Sequence, residues 1–383
     1  MNDNSRGEPV ESPWPLRQAQ GERFSSLLEC GSTNPPSGLA EDIRVAITGL
    51  DAGLAIVDDR AFEDLVEKHR PELQFHCYRM LGSVQESEDL VQESLLRAWK
   101  SREAFEGRSS IRTWLYSIAT HVCLDALRRR SRRILVTAYG PPSDPSLPDT
   151  PPPPEVLWLE PFPDRLLNVV DQQGAPEARY DARESVELAF LAAVQCLQPR
   201  QRAILLLRDA LSWTAAETAA LLETSVASVN SGLLRARAAM RRQLPKGADS
   251  FIDGIASEEA ARAVADRYLR AWEAADVHAL AALLKEDATL SMPPVPSWYF
   301  GRSAVAEFLA RNPMSPQWHA RLRVYPTRAN RRPAFAVYHR GPGSDVFSPF
   351  GLMTLRIEGD LIAEILGFIE PALFRFFDVP AAL

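Results

Sequence analysis

Four consecutive prolines, Pro151–Pro154, lie within a breaker-rich stretch running from Pro141 to about Pro176. Proline fixes φ, carries no N–H and continues neither a helix interior nor a central strand, so no single helical bundle can run through this chain. The stretch reads as a stiff, extended linker. Helical periodicity stands on both sides of it, from Phe62 to Arg130, with proline only at Pro71, and again from Arg183 to Leu244. After Pro245-Lys246-Gly247 the texture changes to two helical stretches followed by alternating, strand-like runs.

The expected organisation is therefore multidomain: an extension over 1–57, an all-α domain over 58–135, the Pro-rich linker over 136–182, a second all-α domain over 183–246 and an α+β domain over 252–378. The extension, with scattered Pro, Gly, Ser and Asn and weak periodicity, is expected to be mostly disordered. A length of 383 residues fits two or three domains.

A net charge of −7 would argue against nucleic acid if it were evenly spread. It is not. Asp58–Glu93 holds ten acidic and four basic residues, whereas Arg97–Arg133 holds ten basic and three acidic, and Arg200–Arg242 seven basic and three acidic. Local potential decides where a polyanion docks, so the two basic blocks matter more than the total. Cys30, Cys77, Cys123 and Cys196 lie far apart, without CxxC or zinc spacing, so neither a metal nor a cofactor is expected. No apolar run reaches bilayer length and the first thirty residues lack a signal-peptide pattern, which points to a cytoplasmic protein without membrane contact.

In the first block, Val91, Leu95, Ala98 and Trp99 form an apolar stripe on a helix from Glu86 to Lys100, while Asp89, Gln92, Glu93 and Leu96 share another face. Taken alone, that face reads most simply as solvated, with one exposed leucine. On the next helix, with Ser109 as expected cap, Ile111, Leu115, Ile118, Val122 and Ala126 belong to a core. Arg112, Thr113, Tyr116 and Thr120 occupy a different side, with Trp114 at its border. An exposed strip of Arg, Thr, Tyr and Trp suits single-stranded DNA, because cations track phosphates and aromatic rings stack on unpaired bases.

The stretch SEDLVQESLLRAWKSREAFEGRSSIRTWLYSIATHVCLDALRRR (Ser87–Arg130) resembles region 2 of the sigma-70 family, in its extracytoplasmic-function group. The resemblance implies that Asp89, Leu90, Gln92, Glu93 and Leu96 contact the clamp helices of the largest subunit of core RNA polymerase. It also implies that Phe105 through Tyr116, with Arg108, Ser109, Ser110, Arg112, Thr113 and Trp114 among them, melt the promoter −10 element and trap a flipped base, at an unstacking cost of about a few kcal/mol. The family often has Asn near His121, which puts that contact in question here.

In the second block, Thr214 caps a short helix over Ala215–Leu222, Glu223-Thr224 turns, and Ser225 caps a longer, basic helix through Arg242. This is a helix-turn-helix pattern, which plain helical hairpins also mimic. In context it resembles region 4 of the same family. The resemblance implies −35 recognition by Ser225, Ala227, Ser228, Asn230 and Ser231, phosphate contacts by Arg235 and Arg237, and docking on the flap region of the second-largest polymerase subunit. Many relatives carry basic residues where Asn230 and Gly232 stand, so modest −35 affinity is expected. Nothing matches the family's regions 1.1 or 3; the linker takes their place, with WLEPFPD (Trp158–Asp164) as an ordered anchor.

From about Ile255 to Phe377 the pattern, and LSMPPVPSWYFG most of all, resembles the SnoaL-like group of the ketosteroid-isomerase-like fold, in which a curved sheet wraps on helices as a cone. Members often enclose a pocket, and several are enzymes using an Asp or His base. His278, Asp287, His319 and His339 are the candidate polar residues here, although single histidines in strands are more often structural. Met292, Trp298, Tyr299, Trp318, Phe335 and Tyr338 are the expected core or pocket lining, and a small apolar molecule is the candidate ligand. Fused domains of this kind tune sigma activity in the group this chain resembles. Three classes thus stand: a sigma factor without catalytic residues, a ligand-sensing helix-turn-helix regulator, and a SnoaL-like enzyme with a DNA-binding appendage.

Overall fold

The computed structural model describes residues 59–105, 107, 109–129, 131–167, 187–243 and 257–383. The expected extension over 1–57 lies outside them.

The first helical unit comprises α1 (Asp59–Glu67), α2 (Arg70–Leu81), α3 (Val84–Lys100) and α4 (Ile111–Leu127). Local chemistry sets their ends. Pro71 opens α2, and Gly82, at φ 75°, closes it with its N–H on Tyr78 O. Ser83 Oγ accepts from Glu86 N to start α3, and Ser110 Oγ accepts from Thr113 N to start α4. Ser110, not the expected Ser109, is therefore the cap.

The second unit is α5 (Leu188–Gln195), α6 (Pro199–Leu205), α7 (Ala215–Leu221) and α8 (Val226–Gln243). Thr214 and Glu217 form a reciprocal capping box on α7, and Ser225 Oγ accepts from Ser228 N at the start of α8. One apolar core runs through both units, from Phe62, Leu73 and Leu115 to Trp213, Val229 and Met240.

The C-terminal unit packs α9 (Glu258–Glu273), α10 (Val277–Ala282), α11 (Arg302–Arg311) and the short α12 (Pro316–His319) against a six-stranded sheet. Its strands are β3 (Leu284–Ser291), β4 (Trp298–Phe300), β5 (Leu322–Ala329), β6 (Arg332–His339), β7 (Ser348–Glu358) and β8 (Leu361–Phe368). The order is β4-β3-β8-β7-β6-β5, with only β3 and β8 parallel. A tight hairpin at Glu358-Gly359-Asp360 joins β7 to β8, with Gly359 at φ 61°. A second core fills the cone behind Tyr268, Trp272, Phe308 and Phe335.

The chain between the helical units is no free spacer over 131–167. β1 (Arg133–Ile134) and β2 (Leu157–Trp158) pair in parallel, so the intervening segment returns to its start. Along the way Trp298 Nε1 donates to Gly140 O (2.8 Å) and Ser143 N to Trp298 O (2.7 Å). Trp158, Leu159 and Phe162 are buried, as the anchor reading of Trp158–Asp164 requires. Phe162 N donates to Asn330 Oδ1 (2.9 Å), Asn330 Nδ2 to Tyr78 Oη (3.2 Å) and Tyr78 Oη to Glu160 O (2.8 Å). A third apolar cluster, with Tyr78 of α2, Phe162, Leu188 of α5 and Leu352, Phe368 and Phe374 of the C-terminal unit, closes this joint. The prolines stiffen a strap; they do not hold the domains apart.

Candidate polymerase and promoter interface

On α3, Asp89, Gln92 and Leu96 are exposed. Glu93 lies beside them, paired to Arg97 at 2.7 Å. Leu96 keeps 47% of its surface open, at the centre of these polar side chains. Leu90 turns to the neighbouring side and packs on the helical core. At the rim of this strip, Arg375 Nη2 of the 3₁₀ turn Pro371–Phe376 pairs with Glu88 Oε2 at 3.2 Å.

The α4 strip departs from expectation. Tyr116 is 1% exposed and Thr120 is fully buried. Tyr116 Oη donates to Glu72 Oε2 (3.2 Å), and the same oxygen receives Arg112 Nε (2.8 Å), whose guanidinium lies over the Tyr116 ring. Burial works to raise the Glu72 carboxyl, but hydrogen bonds from His69 and Arg112 outweigh it and hold it below its ordinary value. Thr120 Oγ1 hydrogen-bonds His76 Nε2 at 3.0 Å, and burial lowers that imidazole to about 3, so it is neutral. Arg112 and Tyr116 thus brace α4 on α2. Tyr116 is not an open stacking surface. Ser109 and Ser110 are exposed, Thr113 and Trp114 half-exposed, and Phe105 packs tilted against Trp114 with centroids 5.1 Å apart. Arg108 lies outside the described residues.

On α8, Ser225, Ala227, Ser228, Asn230, Ser231 and Arg235 are exposed along one side. Arg237 is exposed but committed, its Nε and Nη2 donating to Asp209 at 2.9 and 2.7 Å. Gly232 is buried against α6, where a Cβ would stand 2.6 Å from Ile204 Cδ1. Its size serves helix packing, so it is no vacancy in a DNA-reading face.

Two residues not singled out in the sequence hold the helical units together. The Trp213 ring meets that of Tyr116, with centroids 5.7 Å apart. Arg202 of α6 is 2% exposed and donates to Met80 O at the end of α2, and to Gln195 Oε1 (2.6 Å) and O (2.9 Å). The helix dipole and unpaired carbonyls at a C-terminus suit a cation. Burial lowers the Arg202 guanidinium to about 10, which leaves it charged at neutral pH. A tryptophan bounding a helix-turn-helix and an arginine beside Ala203-Ile204-Leu205 were the available signals.

In the C-terminal unit a cavity of about 80 Å³ opens inside the cone. Of the expected lining, Met292 and Trp318 border it. The other four do not. Trp298 and Tyr299 face the strap, where Tyr299 Oη donates to Asp149 (3.0 Å); Phe335 packs on Tyr268; and Tyr338 lies on the sheet's outer side with its hydroxyl on Pro380 O (2.6 Å). His278 and Asp287 are exposed, His319 Nε2 bonds Trp272 O (2.7 Å), and His339 sits between Trp318 and Phe350. None of the four borders the cavity. Among the described residues no cluster of His, Cys, Asp and Glu could hold a metal, and no helix is long and apolar enough to cross a membrane.

Three family models match: sigma-70 region 2 over residues 65–133, sigma-70 region 4 over 187–240 and the SnoaL-like domain over 265–365. The ECF RNA polymerase sigma factor SigG of Mycobacterium tuberculosis is 41% identical over 359 residues, which cover 92% of this chain and 94% of SigG. The chain belongs to the ECF RNA polymerase sigma factors. It is an alternative sigma factor that directs RNA polymerase to promoters. SigW of Bacillus subtilis, an ECF sigma factor, is 29% identical over 189 residues, 49% of this chain and 90% of its own length. The crystal structure of Mycobacterium tuberculosis SigJ shares the fold of this sigma factor at TM-score 0.52 and 20% identity, covering 83% of this chain and 99% of SigJ.

Proposed function

We propose that Asp89, Gln92, Glu93 and Leu96 dock this sigma factor on the clamp helices of the largest polymerase subunit, with Leu90 supporting the strip from behind. The exposed Leu96 among acidic and amide side chains carries this reading: an apolar residue left open at the centre of a polar rim is how a protein interface is built. The −10 element is met by Phe105, Ser109, Ser110, Thr113 and Trp114, together with Arg108. The −35 element is met by the Ser225–Arg235 side of α8, and the flap region of the second-largest subunit by the same domain.

The C-terminal domain acts as a modulator with no catalysis of its own, and its cone takes a small apolar molecule. It bears on promoter opening because it holds the strap and α5 in place. Buried Arg332 of β6 donates its Nε to Glu187 at the start of α5 (2.9 Å) and its Nη1 to Glu364 (3.1 Å), so the second helical unit is tied to the cone. While this joint is closed, Tyr116 stays under Trp213. Transcription in vitro by a chain ending near Lys246 tests the modulatory role. Output differing from the full chain is expected, and equal output under all conditions would remove it.

A further inference from the structure

We infer that the cavity of the cone is a binding site for an uncharged apolar ligand whose occupancy loosens the joint between the three domains; this rests on the modulatory reading above. Among the described residues the lining contains no ionisable side chain, and Asn312 spends its Nδ2 on Phe308 O at 3.1 Å. An ion would lose its hydration without a partner there, whereas a hydrocarbon would not.

The cavity is about 80 Å³, and an apolar cavity that holds benzene is about 150 Å³. A ring-sized ligand therefore enters by moving the wall. Gly351 of β7 and Gly367 of β8 border the cavity without side chains, Gly351 close against the Phe368 backbone. Between them the cross-strand pair Leu352 and Phe368 borders the cavity and also belongs to the interdomain cluster with Tyr78, Phe162 and Leu188. Displacing that pair displaces the joint, because close-packed interiors transmit strain. The same strand end runs through Ile369, also on the wall, into the turn whose Arg375 holds Glu88 beside the polymerase strip.

Benzene, with benzoate as the charged control, serves as probe on the full chain. Benzene is expected to bind, benzoate not, and saturating benzene to speed hydrogen exchange of the Leu188–Gln195 amides by about fivefold or more, the lower range of ordinary coupling. Val337→Phe and Leu322→Phe, which fill the cavity from two strands, are expected to abolish both effects. The inference falls if benzene does not bind, if both filled variants bind it as well as the wild type, or if binding leaves the exchange unchanged. The exchange measurement decides this inference, and transcription from the shortened chain decides the modulatory reading, so the two fail separately.

Discussion

Tyr116 and Trp213 meet across the boundary of the two helical domains, ring centroids 5.7 Å apart and planes inclined at 59°. Tyr116 lies on α4, and Trp213 immediately precedes the Thr214 cap of α7. The contact makes the two helical domains one packed body, and on the promoter reading proposed above, engaging separated −10 and −35 elements requires parting them. Trp213→Ala removes the indole from this seam and should cost about 3 kcal/mol, the low end for large aromatic truncations because a seam can partly collapse. Urea unfolding together with small-angle scattering checks it. Lower stability and a larger radius of gyration are expected, and an unchanged radius would mean that Tyr116 is covered by something other than this contact.

Gly232→Arg should fail to strengthen −35 binding. The new side chain begins 2.6 Å from Ile204 Cδ1, so either Ile204 changes rotamer or α8 shifts from α6, at an overpacking cost of up to about 1–3 kcal/mol. Thermal unfolding and DNA titration read the two halves of this expectation. A stable variant with tighter DNA binding would contradict it.

Asn330→Ala strips partners from Phe162 N and Tyr78 Oη at once. Leaving buried polar groups unsatisfied costs about 1–3 kcal/mol. The strap over 136–167 should then be cut faster by a protease under native conditions, while the cone itself remains resistant. Equal cleavage rates would show that the amide contributes little to docking.

His76 sets a pH dependence. Its folded value of about 3 lies below the ordinary 6.5 because burial penalises the imidazolium, with Arg79 and Arg112 adding to the effect. Below pH 6.5 the unfolded chain takes up a proton that the folded chain refuses, so stability falls as pH drops from 6.5 toward 3. His76→Gln can keep the bond to Thr120 without titrating. Its stability should change less between pH 7 and pH 5 than that of the wild type; parallel profiles would exclude His76 as the source.

Much of this architecture was readable in the chain. Apolar periodicity placed α3, α4 and α8, and Thr214 and Ser225 cap where hydroxyl chemistry predicts. Tyr116 was misread because a helical wheel separates faces without saying what covers each one. Its face is covered by Trp213, 97 positions away in the sequence. The proline run marked the break between the helical domains, but the docking of Phe162 on Asn330 joins residues 168 positions apart, which no local pattern reports. Tyr338 looked like pocket lining because aromatic residues in strands alternate between faces, and both faces of this sheet are buried, one in the cone and one in the joint.

The central claim, that the α3 strip docks on polymerase, is tested most directly by the affinity of the full chain for core RNA polymerase, beside Asp89→Ala/Glu93→Ala. Asp89 is exposed and Glu93 lies at the same surface, so the variant should fold as the wild type does. The prediction is affinity at least about thirtyfold weaker, the loss of an interface hot spot of about 2 kcal/mol. Equal affinity of the two proteins would contradict it.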